Sequence, residues 1–296
     1  MICTLAALAV VAAPLDGEPG SKCQGTQAAG RAAPTPADPY PLNAAVWGPE
    51  AGGGLQVSRW AEDWTEMHAA GAAPALKAVP IGRSASLTVS GELRVRYDVV
   101  DPLHPGGGFD RGLVRVVTGA DLRISSNFRF YGEVAAGLAE GREDQLGANF
   151  RNDASLQQAF VEVRRRTGPA LIGAIVGRQE FADGPRQLIS LSDGPNLHRT
   201  WNGVRLFAHG EPVRLGVFEF EATQLERGVF DETVNGAERL RGLNASVIVS
   251  PSGGPNIYLE PFWYQSDNAA ARVGGIEGQD RRDTVGARLW GRRGAF

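Results

Sequence analysis

The chain contains very little lysine. Lys22 and Lys77 are the only lysines, so arginine supplies 28 of the 30 cationic residues (30 − 2). Arginine presents a planar fork of donors that binds carboxylates and phosphates through paired hydrogen bonds, and it stays charged when partly desolvated. A GC-rich genome would produce the same bias, so the positions of the arginines are more informative than their number.

Cysteine, basic blocks and long apolar runs are also scarce. Cys3 and Cys23 both precede any regular pattern, which argues against a disulfide framework and a zinc site. The net charge of −3 and the lack of a basic block argue against nucleic-acid binding. After Leu15 no stretch approaches the ~20 apolar residues of a spanning helix. A membrane β-barrel stays compatible with this composition, because its strands alternate apolar and polar residues.

The N-terminal part divides into two segments before the strands begin. Residues 2–15 form an apolar run with the length of a signal-peptide core, although no Lys or Arg precedes it. We assign residues 1–30 to a signal peptide and lead-in, which predicts export toward the bacterial outer membrane. Residues 31–83 are rich in Ala, Gly and Pro, and we interpret them as a linker and pre-barrel segment. The strand pattern occupies residues 84–296.

Unbroken alternation of apolar and polar residues is the main structural signal. In the thirteen residues 86–98, Leu93 and Val95 share one face while Arg94 and Arg96 share the other. Soluble strands usually have about 5–6 residues, whereas tilted membrane strands need ~9–11. Similar patterns predict about ten strands, near 86–98, 114–124, 128–138, 156–165, 170–180, 200–208, 212–221, 240–250, 255–265 and 282–292. The predicted fold is all-β, an antiparallel transmembrane β-barrel with alternating long and short links.

Three segments carry a family resemblance. They are Ala75-Leu-Lys-Ala-Val-Pro-Ile-Gly82, Gly177-Arg-Gln-Glu-Phe-Ala-Asp-Gly184 and Arg199-Thr-Trp-Asn-Gly-Val-Arg-Leu206. In their order and spacing, residues 59–292 resemble the bacterial alginate-export family of outer-membrane barrels. The resemblance implies an eighteen-stranded barrel with an Arg-rich lumen that conducts an acidic polysaccharide.

The chain is shorter than that resemblance implies. It contains about ten predicted strands and ends at Phe296 in a weakly alternating stretch. An open half-barrel would leave strand edges unpaired in lipid, which is very costly. We therefore interpret the chain as the N-terminal part of a larger, truncated barrel, with a closed ten-stranded barrel or a dimeric barrel as alternatives.

These observations predict an outer-membrane channel that exports or conducts an anionic polysaccharide or a similar anionic solute. Its expected partners are outer-membrane lipid, a polyuronate and periplasmic export components, with no cofactor and no bound metal. The pore-lining candidates are charged residues on polar faces or in the motifs, namely Arg94, Arg96, Arg115, Arg123, Arg129, Glu133, Arg178, Glu180, Arg199, Arg205 and Arg214. Each could instead brace the wall by pairing across strands. Arg178 shares its face with Ile172, Ala174 and Val176, which weakens its placement in the lumen.

Aromatic residues near strand ends are predicted to form girdles at the membrane interfaces. They are Trp201, Phe207, Phe218, Phe262, Trp263, Tyr264 and Trp290. In a soluble protein the same residues would belong to the core.

Two other classes of protein stay open from the residues alone. An outer-membrane barrel hydrolase could use His198 with Ser190 or Ser192 and Asp193, although none of the four histidines lies in a hydrolase motif. A soluble carbohydrate-binding β-sandwich would also show alternation. The polar segment 183–196 could fold into the lumen, cover a mouth of the barrel, or form an ordinary surface loop.

Overall fold

The structure is a computed structural model that describes residues 58–101, 107–182, 188–210, 212–250 and 257–291. The predicted signal peptide and most of the predicted linker lie outside the described residues. The strands are β1 (Val79–Ile81), β2 (Ala85–Val100), β3 (Phe109–Arg123), β4 (Phe128–Gly141), β5 (Asn152–Thr167), β6 (Ala170–Glu180), β7 (Thr200–His209), β8 (Val213–Gln224), β9 (Thr233–Ile248), β10 (Ile257–Val273) and β11 (Ile276–Gly291). A 3₁₀ turn (Arg59–Ala61) and helix α1 (Thr65–Ala69) precede them, and a second 3₁₀ turn (Glu143–Gln145) follows β4.

All eleven strands form one antiparallel sheet in chain order. The ten predicted strands correspond to β2–β11, so the predicted all-β fold class is confirmed. The short strand β1 was not predicted, because its three residues are too few to show alternation. Within the described residues β1 and β11 are not paired with each other, so the sheet is open, as expected for part of a barrel.

The links alternate in length along most of the sheet. The links β3–β4, β5–β6 and β7–β8 have four, two and three residues and lie at one end, called the short-link end. The links β2–β3, β4–β5, β6–β7 and β8–β9 have eight or more residues and lie at the opposite, long-link end. The last two links reverse the pattern, because β9–β10 is long and β10–β11 has two residues.

The two faces of the sheet have opposite chemistry. On the apolar face large side chains are exposed, with Leu93 at 64% and Val95 at 53%. On the polar face charged side chains are buried, with Arg129 at 2% and Glu162 at 0%. A water-soluble sheet would bury the apolar face, whereas a membrane barrel exposes it to lipid. None of the helices within the described residues is long and apolar enough to cross a membrane.

Two chain segments lie on the polar face and bury it. The N-terminal segment, residues 58–78, contacts β2, β3 and β4, and the link segment, residues 188–199, contacts β2, β3 and β4 from the long-link end. The link segment therefore folds over the sheet rather than away from it. Residues 183–187, which begin the same link, lie outside the described residues.

Most of the aromatic girdle prediction is wrong. Trp201, Phe207, Phe218 and Tyr264 are buried on the polar face, where they belong to clusters of packed aromatic side chains. Phe262 stacks on Tyr264 and Trp290 stacks on Tyr258, which places both on the polar face as well. Only Trp263 of the predicted set lies on the apolar face, opposite Leu243 and Val285. Trp201, Phe207, Phe218 and Tyr264 instead belong to clusters that include residues of the covering segments, such as Trp60 and Ile189.

Two positions in the family-like segments require glycine for steric reasons. Gly177 and Gly203 face each other across β6 and β7, with φ of +128° and +156°. A Cβ at either position would collide with a backbone oxygen of the neighbouring strand, Ala159 or Glu219. Only glycine fits this backbone and this close approach.

Candidate functional site

A carboxylate from the link segment sits among cations of β2 and β3. Asp193 Oδ1 accepts hydrogen bonds from Arg94 Nη1 at 3.0 Å and from Arg115 Nη1 at 2.8 Å, and it lies 2.7 Å from His198 Nε2. Burial alone would raise the pKa of Asp193, but hydrogen bonds and charge from His198 and Arg115 lower it well below its usual range. The carboxylate is therefore held ionised by three donors.

Backbone oxygens of the link occupy further arginine donors. Arg94 donates to the carbonyl oxygens of Asp193 at 3.0 Å and Pro195 at 2.5 Å, and Arg96 donates to that of Gly194. Arg94 and Arg96 alternate with apolar residues along β2, so both reach the same face of the sheet. These two arginines and Arg115 form what we call the arginine cluster, which binds one carboxylate and four backbone carbonyl groups of the link segment.

His198 joins the link segment to the end of β6. Its Nδ1 bonds to Glu180 Oε1 and its Nε2 to Asp193 Oδ1. Burial would lower the pKa of His198, but the two carboxylates outweigh burial and raise it to about 9. Both ring nitrogens are thus engaged with carboxylates, whereas Ser190 Oγ bonds to the backbone of Ser192. This arrangement does not form the Ser–His pair that the hydrolase hypothesis requires.

Glu62 anchors the N-terminal segment on β2. Its Oε2 accepts from Trp64 Nε1 at 2.7 Å, Lys77 Nζ at 3.0 Å and Ser90 Oγ at 3.1 Å, while Arg59 Nη1 donates to Oε1 at 2.8 Å. Burial raises the pKa of Glu62, but the hydrogen bonds from Trp64 and Lys77 outweigh burial and hold it below its usual value. Glu62 is therefore a charged and fully partnered anchor.

Arg129 braces the interior between strands. Its guanidinium donates to Asp121 Oδ1 at 2.7 Å, to Glu162 Oε2 at 3.2 Å and to the backbone oxygen of Trp60. Arg123 continues the network, with Nη1 at 2.5 Å from Asp63 Oδ2. These arginines compensate buried acids on neighbouring strands, so they stabilise the wall and the covering segment together.

The predicted site residues occupy three places in the structure. The polar face holds most of the set, namely Arg94, Arg96, Arg115, Arg123, Arg129, Glu133, Arg205 and Arg214. Glu180 and Arg199 lie at the long-link end, where Arg199 pairs with Glu238 and contacts the ring of Trp201 at 4.5 Å. Arg178 lies on the opposite face and bonds to Asn202 and Glu232.

Sequence reasoning missed the partners that hold the arginine cluster and the N-terminal segment. Of these partners, the sequence indicated Asp193 and His198 as parts of a possible catalytic triad, and it did not single out Glu62. The available signal was the density of polar residues in 188–199, which suits a segment lying on a charged face. No local pattern indicates that Glu62 meets Lys77 and Ser90, because those contacts depend on how the segment crosses the sheet.

An open antiparallel sheet with an exposed apolar face and a buried, charged face defines the wall of a transmembrane β-barrel. The sequence profile of the alginate export family matches residues 86–295, which is 210 of the 296 residues. The chain therefore belongs to the alginate export family, and the predicted resemblance is confirmed. Membership supports an outer-membrane polysaccharide export channel rather than an enzyme. No curated protein matches the chain in a sequence search.

Proposed function

We propose that the polar face of this chain lines an export channel for an anionic polysaccharide of the polyuronate class. The proposal is carried by one observation, the carboxylate of Asp193 held by Arg94 and Arg115. A uronate carboxylate has the same charge and geometry as this side chain. The arginine cluster would therefore bind a passing uronate by exchanging it for Asp193.

The pairing of charges along the face suits transport better than tight binding. Arg96 pairs with Asp98 at 2.9 Å, and Arg115 is shared between Glu92 and Asp193. A solute that competes with resident acids binds weakly and leaves readily, which conduction requires. Pairing also braces the wall, so bracing and conduction use the same residues.

A cavity of about 440 Å³ lies beside the link segment at the long-link end. Its walls carry an imidazole, a guanidinium, hydroxyls and a carboxylate, from His198, Arg199, Thr200, Thr223 and Glu238. Such groups can hydrogen-bond the hydroxyl and carboxylate groups of a sugar unit. We propose that this cavity lies at the opening of the channel through which the polymer leaves. Periplasmic export components would deliver the polymer at the opposite, short-link end.

Reversal potentials across planar lipid bilayers test the proposal. We expect the wild-type channel to prefer anions and the Arg94→Gln/Arg115→Gln variant to lose most of that preference, because two cations leave the face. The matched control is Arg272→Gln, an exposed arginine paired with Glu277 at the β10–β11 hairpin. Wild-type selectivity in the Arg94→Gln/Arg115→Gln variant, with unchanged block by oligouronates, would contradict the proposal.

A further inference from the structure

Two rows of polar residues cross the apolar face of β6–β11. Cross-strand partners share a face, so the strand register assigns each row. The upper row runs from strand to strand through Arg178, Asn202, Glu221, Arg239, Asp267 and Arg281. The lower row runs through Glu219, Arg241, Gln265 and Asp283 on β8–β11. We call these two rows the charge ladder.

Hydrogen bonds and an ion pair join several neighbouring members within each row. Arg239 Nη2 lies 3.1 Å from Glu221 Oε1, and Arg178 Nε donates to Asn202 Oδ1 at 2.9 Å. In the lower row Arg241 Nε donates to Gln265 Oε1 at 2.7 Å, and Gln265 Nε2 donates to Asp283 Oδ1 at 2.8 Å. Arg239 is exposed, with 62% of its side-chain surface accessible to solvent.

The ladder begins where the apolar belt ends. The next row toward the short-link end consists of Val217, Leu243, Trp263 and Val285, which are register partners. Trp263 stands at the boundary, because its ring lies in the apolar row while its Nε1 donates to Asp283 at 3.1 Å. A tryptophan with one apolar side and one hydrogen-bonded edge is typical of a membrane interface.

The distance from the ladder to the strand ends matches one membrane crossing. Arg178 is the ninth residue of β6 counted from Ala170, and Glu221 is the ninth of β8 counted from Val213. A tilted strand needs ~9–11 residues to cross the hydrocarbon layer. The upper row of the ladder therefore lies about one crossing from the short-link end.

We infer that the charge ladder contacts the phosphate-bearing headgroups of the outer leaflet, with the long-link end facing outward. The exposed arginines of the ladder, Arg239, Arg241 and Arg281, supply donors for phosphate oxygens, and its acids can share divalent cations with the same phosphates. On the apolar face of β2 and β4, Tyr97, Phe128 and Phe130 are exposed near strand ends, whereas on the described part of β6–β11 the charge ladder lies at the corresponding boundary beside Trp263. The inference rests on the proposed membrane location of the chain, but not on the proposed solute.

Spin labels on single cysteines test the position of the boundary in a protein whose Cys3 and Cys23 are replaced by serine. We expect labels at Val217→Cys and Leu243→Cys to collide mainly with lipid-soluble oxygen. A label at Glu221→Cys should collide mainly with a water-soluble nickel chelate. Equal oxygen preference at all three positions overturns the ladder while leaving the membrane location intact. Chelate access at all three positions overturns both.

The partner is tested with spin-labelled lipid A in phosphatidylcholine vesicles that contain the folded protein and Mg²⁺. We expect wild-type protein to bind lipid A in preference to phosphatidylcholine, and Arg239→Gln/Arg281→Gln to weaken that preference about fivefold or more. The matched control Arg272→Gln should retain it, because that residue lies at the hairpin beyond the ladder. Equal preference in wild type and the double variant, or none in wild type, overturns the inference.

Discussion

Replacing Asp193 by asparagine tests how the link segment is held on the arginine cluster. The amide keeps the shape of the side chain and removes its charge. Three donors, Arg94, Arg115 and His198, then lose their anionic partner. A hydrogen bond to a charged group is worth about 1.5–3 kcal/mol, but the side chain of Asp193 is 49% exposed and therefore screened. We expect Asp193→Asn to lower the free energy of unfolding by about 1–2 kcal/mol.

The same substitution should increase anion selectivity. One negative charge acting through about 10 Å of water is worth about 0.4 kcal/mol, which doubles the local anion concentration and halves that of cations. The ratio of anion to cation permeability should therefore rise about fourfold. Reversal potentials in a salt gradient measure this ratio, and denaturant titration of the folded protein in lipid vesicles measures the stability.

Asp144→Asn is the matched control, because Asp144 is also a link acid paired with an arginine, Arg142, at 2.6 Å. It lies in the β4–β5 link and is exposed to solvent, so we expect no measurable change in stability and no change in selectivity. Identical behaviour of Asp193→Asn and Asp144→Asn in both assays would contradict this role of Asp193.

Three further outcomes are expected. Arg129→Gln should destabilise the fold by about 3–5 kcal/mol in denaturant titration, because it removes the shortest ion pair of each of the buried acids Asp121 and Glu162; a loss below about 1 kcal/mol contradicts the brace. Folding raises the pKa of His198 from its ordinary value of 6.5 to about 9, so protonated His198 stabilises the fold fully below pH 6.5. This contribution to the free energy of unfolding is lost as the pH rises toward about 9. A His198→Gln variant should lack this pH dependence. Leu215→Arg should cost about 2–4 kcal/mol in vesicles, because this exposed side chain lies on the apolar face within the span; a cost below about 0.5 kcal/mol would contradict its contact with lipid.

The alternation of side chains was sufficient to predict the sheet. This alternation depends only on residues that are neighbours in the chain, so β2–β11 could be located from the sequence. The polar faces of β2, β3 and β4 were also assigned correctly. The same rule pointed to the correct face for Arg178, whose neighbours Ile172 and Val176 are apolar and exposed. Its appearance in a family-like motif had favoured the lumen instead.

The long-range contacts made on the polar face could not be predicted in the same way. Asp193 is separated from Arg94 by 99 positions in the chain, and no periodicity connects a link to the strand it covers. The aromatic residues failed for a related reason. Trp201 and Phe218 alternate onto the polar face, where the covering segments leave room for large side chains. Strand-end position alone therefore does not distinguish an interface girdle from a packed interior.

The central claim is that one face of the sheet meets lipid while the other is enclosed. Fluorophores attached singly at positions 93, 94, 95 and 96 of β2, in vesicles with brominated lipid, test it most directly. The structure predicts strong quenching at Leu93 and Val95 and weak quenching at Arg94 and Arg96, alternating at every residue. Uniform quenching along these four positions, or quenching only by an aqueous reagent, would contradict the claim.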